Sequence, residues 1–254
     1  MTDSAAAYVI CSNPRSGTTL LCDMLARTGV AGRPDSFFRE KSLQEWCDDW
    51  GITGPADPQD PEFTKRYFDA MRKEGRGDTP VFGMRVMGPD LGLACAWLDR
   101  AHPGQPSAPA GFDAAFGPTR FVHLSRADKL AEAVSYLRAE QTGFWHQRPD
   151  GSALEHLEPT QPEGFDAAAI HARKLELAGY DAAWEAWFAA EGITPLRITY
   201  EALAENPNGV LALVLAFIGQ DPALASGVAP GVRKLANATS AAWIARYRSL
   251  YPDG

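Results

Sequence analysis

The residues best able to do chemistry gather near the start of the chain, in Ser12-Asn13-Pro14-Arg15-Ser16-Gly17-Thr18-Thr19. Arg15 offers a planar, permanently charged donor fork that matches a phosphate or sulfate oxygen pair. Ser16, Thr18 and Thr19 add hydroxyl donors, and Gly17 permits the tight turn that brings backbone N–H groups to an anion. Far downstream, Ser125-Arg126 is followed by Ser135, about two helical turns further on. An Arg at a strand end and a Ser on the next helix can approach one phosphate from two sides. Singly, each pattern also fits an ordinary strand–turn–helix with a surface Arg. Together they suit a nucleotide phosphorylated at both its 5′ and 3′ ends.

Such groups must be carried by a regular scaffold. Tyr8-Val9-Ile10-Cys11 reads as an apolar strand, and a helix from Thr18 points its unsatisfied N–H groups back at the loop. Further strands are expected at Val81–Met87, Arg120–Leu124 and Pro195–Tyr200. Helices fall between them: one with Phe63, Tyr67 and Met71 on a single face, and one over Leu91–Arg100. Another starts near Asp128, with Leu130, Val134, Leu137 and Gln141 in one stripe. A long helix carries Ile170, Leu177, Tyr180, Trp184 and Trp187, an aromatic stripe read as core. The last, from Pro207 to Gly219, has Pro at its start and Gly past its end. Residues 29–62 read as a functional or partly helical loop, and residues 102–118 as a flexible connector. The alternation implies an α/β fold. We expect a P-loop-type parallel sheet flanked by helices, a single domain over residues 1–254 with loop and helical insertions. Its ligand belongs at the C-terminal edge of the strands.

The loop is not that of an ATPase. GxxxxGK[ST] places a Lys after its second Gly, whereas Gly17 is followed by Thr18 and the cation precedes it as Arg15. A P-loop nucleotide kinase or NTPase remains an alternative reading, as does a nucleotide-binding module without catalytic activity.

Composition narrows the classes. The chain has 254 residues, 45% hydrophobic and 22% charged, enough to bury a sizeable core. A net charge of −8 argues against a nucleic-acid surface, so an anion must be held by a local basic cluster. No run reaches transmembrane length and the N-terminus lacks a basic secretion signal, so a cytoplasmic protein is expected. Cys11, Cys22, Cys47 and Cys95 show no metal-finger spacing and read as thiols; no metal is expected.

AYVICSNPRSGTTLLCDMLARTGVAG, HLSRADKLAEAVSYLRAEQTGFW, ITYEALAENP and RKLANATSAAWIARYR span nearly the whole chain. In these segments it resembles the sulfotransferases that use 3′-phosphoadenosine 5′-phosphosulfate, and most of all their bacterial carbohydrate branch typified by trehalose 2-sulfotransferase. The resemblance implies in-line sulfuryl transfer to a hydroxyl of a small carbohydrate or glycolipid-type acceptor. It places the 5′-phosphosulfate on Arg15, Ser16, Gly17, Thr18 and Thr19, and the 3′-phosphate on Arg126 and Ser135. Tyr200 falls near the adenine. Apart from the resemblance, Arg233-Lys234 offers another basic pair, and Arg233 is expected as a donor contact. Arg85 falls where relatives carry a basic residue facing the transferred group.

The acceptor side departs from the relatives, which read GEPQEFF with the second Glu as proposed base. Here Gly32-Arg33-Pro34-Asp35-Ser36-Phe37-Phe38 puts Ser36 at that position. Asp35 is the first choice for the base and Glu40 the second. His123, nearest the expected site among the histidines, is read as structural. Phe37-Phe38 and Trp46–Trp50 are expected to be exposed, lining an acceptor pocket or a homodimer face.

Overall fold

The computed structural model describes residues 5–147, 150, 152–156, 158–159, 161–231 and 237–252. Its centre is a four-stranded parallel sheet in the order β2-β1-β3-β6, formed by β1 (Ala7–Ser12), β2 (Phe82–Met87), β3 (Thr119–Ser125) and β6 (Leu196–Thr199). β1 is buried along its whole length, as a strand flanked on both edges and covered on both faces must be. Its side chains alternate. Ala7, Val9 and Cys11 enter a cluster with Met84, Phe116 and Trp184, while Tyr8 and Ile10 face Leu25, Val122 and Leu211.

The covering helices follow from capping and periodicity. On one face lie α1 (Thr18–Arg27) and α9 (Pro207–Phe217), the latter capped by Asn206 with Pro207 in its first turn. The other face carries α3 (Pro61–Arg76), capped by Asp60, then α4 (Leu91–Ala101), α5 (Ala108–Phe116) and part of α7 (Ala167–Ala190). A further cluster joins α7 to α6 (Lys129–Thr142) and α10 (Ala238–Leu250). The short α2 (Leu43–Asp49) and α8 (Tyr200–Glu205) complete the helices used below.

β1 pairs with β2 on one edge and β3 on the other, so the connections leaving β1 and β3 diverge at the strands' C-terminal ends. That divergence opens a crevice lined by Arg15 and Arg126. Sheet order, parallel pairing and helical cover agree with the α/β expectation.

Two expectations fail. Residues 102–118 are not a flexible connector: α5 occupies their second half, because Ser107 accepts the Ala110 N–H as its cap and Phe112 and Phe116 are buried. The Ala-rich stretch is a helix former once that apolar face has a partner. Nor are Phe37 and Phe38 exposed, at 1% and 3%. They pack with Trp46, Phe68 and Trp97, and the half-buried Trp46 and Trp50 stack on each other against the same core. Aromatic area of this size favours burial strongly, and none of it at Phe37–Phe38 is left for an acceptor or a dimer face.

The sequence also gave no warning of a two-stranded antiparallel hairpin, β4 (Phe144–Gln147) with β5 (Ala153–His156). It begins where Gly143 ends α6 in the left-handed conformation, at φ 71°, reversing the chain toward the crevice.

Candidate functional site

The loop after β1 is held in a demanding conformation. Arg15 is the one non-glycine with positive φ (70°) among the described residues, and Gly17 follows at φ 89°. A Cβ on Gly17 would lie 2.7 Å from Cδ2 of Tyr200, so glycine is needed for space as well as angle. α1 starts at Thr18 with no side-chain cap among the described residues, leaving its first-turn N–H groups for a ligand.

Ser16 contributes differently from its expected role. Its side chain is fully buried, and its hydroxyl donates to the Asn13 carbonyl at 2.6 Å beside Ser12 Oγ at 2.5 Å. The hydroxyl frames the loop instead of facing the crevice. Trp184 anchors the same turn by donating to the Ser12 carbonyl at 3.1 Å.

A cavity of about 990 Å³ fills the crevice. Arg15, Gly17, Thr18 and Thr19 form its base, Arg126, Ser135 and Tyr200 one wall, and Ser36 and Arg85 the opposite one. Most of the predicted donor residues are therefore brought together. Arg126 lies 4.5 Å over the Tyr200 ring centroid and donates from Nη1 to the Arg15 carbonyl at 3.3 Å. Arg15 in turn donates from Nε to Ser135 Oγ at 3.1 Å and from Nη1 to the Trp145 carbonyl. Arg15 thereby bridges the two anion cradles. Glu201 fastens this wall by accepting the Ala127 and Asp128 N–H groups at 3.1 and 3.2 Å.

The residues fit an anionic donor. Arg126 is only 8% exposed, and its buried Nε has no hydrogen-bond partner. An orphaned guanidinium nitrogen is costly, and an anionic oxygen in the cavity would satisfy it. Arg233 and Lys234 lie outside the described residues. No group of His, Cys, Asp and Glu able to hold a metal occurs among the described residues.

Arg85 reaches the cavity from β2. Its Nε donates to Ser36 Oγ at 2.8 Å, Nη1 to Thr19 Oγ1 at 3.0 Å, and Nη2 pairs with Asp35 Oδ1 at 3.1 Å. Asp35 Oδ1 also accepts the Ser36 N–H at 2.7 Å. Ser36, not Asp35, stands on the cavity wall. The expectation that Asp35 takes the proton thus meets a carboxylate committed to fixing Arg85. Glu40 does line the cavity, at an exposed 3₁₀ turn over Glu40–Ser42.

Among the histidines the expectation was misplaced. His123 is buried on the inner strand β3, where Nδ1 meets Glu185 Oε1 at 3.2 Å; it does not line the cavity. Its structural reading stands. The histidine on the cavity is His146, on β4, with Nε2 3.1 Å from Thr19 Oγ1. Burial first, then the charges of Arg15 and Arg85, push its pKa down to about 3. Trp145 and Tyr136, packed edge to face at 5.7 Å, line the cavity beside it. The signal for these residues was present in Gly143-Phe144-Trp145-His146, a helix-ending glycine followed by two aromatics and a titratable group. Its placement over the loop is a tertiary matter.

The geometry now bears comparison with known proteins. The profile of the Stf0 sulphotransferase family matches residues 7–250, so this chain belongs to that family and is a sulfotransferase. The trehalose 2-sulfotransferase of Mycobacterium tuberculosis is 33% identical over 276 aligned positions, covering 99% of this chain and 98% of the relative. That of Mycolicibacterium smegmatis is 32% identical, covering 98% and 96%. A solved sulfotransferase from Alicyclobacillus acidocaldarius aligns over 97% of this chain and 96% of its own, with 15% identity and a TM-score of 0.43. The kinase alternative is excluded by family membership.

Proposed function

We propose that the cavity binds 3′-phosphoadenosine 5′-phosphosulfate as sulfuryl donor and passes the group to a hydroxyl of a small carbohydrate or glycolipid-type acceptor. The observation that carries this reading is the buried Arg126, stacked on Tyr200 with an unsatisfied Nε, lining one cavity together with the Arg15 loop. Two anion cradles at that relation suit a nucleotide with separated phosphates. The names of the two mycobacterial relatives support a carbohydrate acceptor.

The residues divide the work. Arg126 and Ser135 take the 3′-phosphate, with Tyr200 beside the base. Arg15 and the N–H groups of Gly17, Thr18 and Thr19 hold the 5′ end and stabilise charge growing on the departing oxygen. The Ser16 backbone joins them while its hydroxyl keeps the loop in shape. Arg85 faces the transferred group, oriented by Asp35 and Ser36. A loose transition state leaves the protein chiefly positioning and electrostatic work. The free thiols suit a cytoplasmic setting.

Calorimetric titration with 3′-phosphoadenosine 5′-phosphate, against AMP and ATP with Mg²⁺, tests the donor site. Metal-independent binding that requires the 3′-phosphate is expected; a preference for ATP with Mg²⁺ overturns the assignment. Sulfation assays with trehalose and other sugars then identify the acceptor.

A further inference from the structure

We propose that His146 is the proton acceptor for the incoming hydroxyl, a role that rests on the donor-site reading above. The position carries the inference. Nε2 stands 3.1 Å from Thr19 Oγ1, and that oxygen is 3.0 Å from Arg85 Nη1. A hydroxyl held at the Arg85 and Thr19 end of the loop is within hydrogen-bond reach of Nε2, the first requirement of a general base. The alternatives are worse placed. Asp35 is bound to Arg85 and stands off the cavity wall, and Glu40 sits on an exposed turn.

The hairpin explains how the group is held. The Trp145 carbonyl accepts from Arg15, and the next residue meets Thr19, so β4 is tied to the anion loop at two successive residues. Among the described residues, the charged groups that act on the imidazole are Arg15 from the loop and Arg85 from β2. Burial and two cations keep the ring neutral and make it a weak base while the site is empty. An anionic donor set between those cations offsets their charge and raises the basicity of the ring. Base strength therefore increases when the donor binds.

The step balances. The acceptor oxygen forms a bond to sulfur as its proton passes to Nε2. The bond from sulfur to the bridging phosphate oxygen breaks, and its electron pair leaves with the nucleotide against Arg15 and the loop N–H groups. The imidazolium then releases its proton to water.

Nuclear magnetic resonance of the histidine ring in the intact protein reads this without turnover. The His146 midpoint, assigned by its loss in His146→Gln, should rise by at least one pH unit when 3′-phosphoadenosine 5′-phosphate is added. An unchanged midpoint with nucleotide bound overturns the proposal. In parallel, His146→Gln should bind that nucleotide within about twofold of the parent while kcat falls ~10²–10⁴-fold and loses its acidic limb. Trehalose is the acceptor probe; where it is not sulfated, donor breakdown by water reads the same proton transfer. A kcat within threefold of the parent also overturns the role. Failure of the parent protein to bind the nucleotide would sink the donor-site reading instead, so the two failures are distinguishable.

Discussion

Arg126 lies over Tyr200, its guanidinium carbon 4.5 Å from the ring centroid, and this pair joins two distant chain segments in one wall of the crevice. Tyr200 caps the far side of Gly17, which has no room for a Cβ against it. One aromatic ring thus orients a donor-site arginine and closes down on the anion loop. Arg126→Ala should weaken binding of 3′-phosphoadenosine 5′-phosphate by ~1.5–3 kcal/mol, the worth of charged hydrogen bonds. Tyr200→Phe should bind nearly as the parent does, because the ring face is what matters, while Tyr200→Ala loses ~0.5–2 kcal/mol of cation–π contact. Calorimetry on the three variants checks both statements; equal losses for Phe and Ala would show that the hydroxyl, not the face, is used.

Arg15 lines the cavity and holds the hairpin. It reaches Ser135 with Nε and the Trp145 carbonyl with Nη1. Arg15→Ala should therefore weaken nucleotide binding by ~1.5–3 kcal/mol and also speed amide hydrogen exchange in residues 144–147. Arg15→Lys should restore little, since a single ammonium cannot reproduce a two-sided fork. Full recovery in the lysine variant would make Arg15 a simple point charge.

Asp35 is predicted to position Arg85 rather than to move a proton. Asp35→Asn should leave nucleotide affinity within twofold and lower turnover ~10-fold, the lower end of the worth of one charged hydrogen bond. The pH profile should keep its shape. A loss of ~10²-fold or more with a vanished acidic limb would move the base from His146 to Asp35.

Glu132 makes stability depend on pH. Its side chain is fully buried, Oε2 pairs with Lys129 Nζ at 2.7 Å, and Oε1 has no partner. Burial, opposed by Lys129, pushes its carboxyl up to about 7 from an ordinary 4.5. The native state then holds this proton over a range where the unfolded chain has released it. Stability is fully retained below about pH 4.5 and falls as pH rises toward 7, by up to ~3 kcal/mol from this group. Glu132→Gln should remove that slope. Urea unfolding of both proteins at pH 5 and pH 8 checks it, and identical pH dependence would refute the assignment.

The strands and most helices were legible because their signals are local. The apolar run Tyr8–Cys11, the stripe at Phe63, Tyr67 and Met71, and Pro207 at a helix start all act within a few residues. The anion loop was legible for the same reason, being contiguous from Arg15 to Thr19. Arg126 and Ser135 could be placed because a strand and the helix after it fix their relation. Residues 108–116 misled because alanine and glycine suggest a loose chain until Phe112 and Phe116 find a sheet to cover.

What the sequence determined by itself is the parallel α/β frame and the Arg15–Thr19 loop that lines the cavity. Strand hydrogen bonding, helix capping and turn geometry are short-range, and they dictate that much. Tertiary structure alone decided which side chains meet in the cavity. Ser16 turns inward, Asp35 is drawn to Arg85 instead of the crevice, and His146 arrives from a hairpin far along the chain to face Thr19. No periodicity records such meetings, because they depend on how a strand end, a helix cap and a hairpin pack in space. The buried charge around them then sets which groups hold protons.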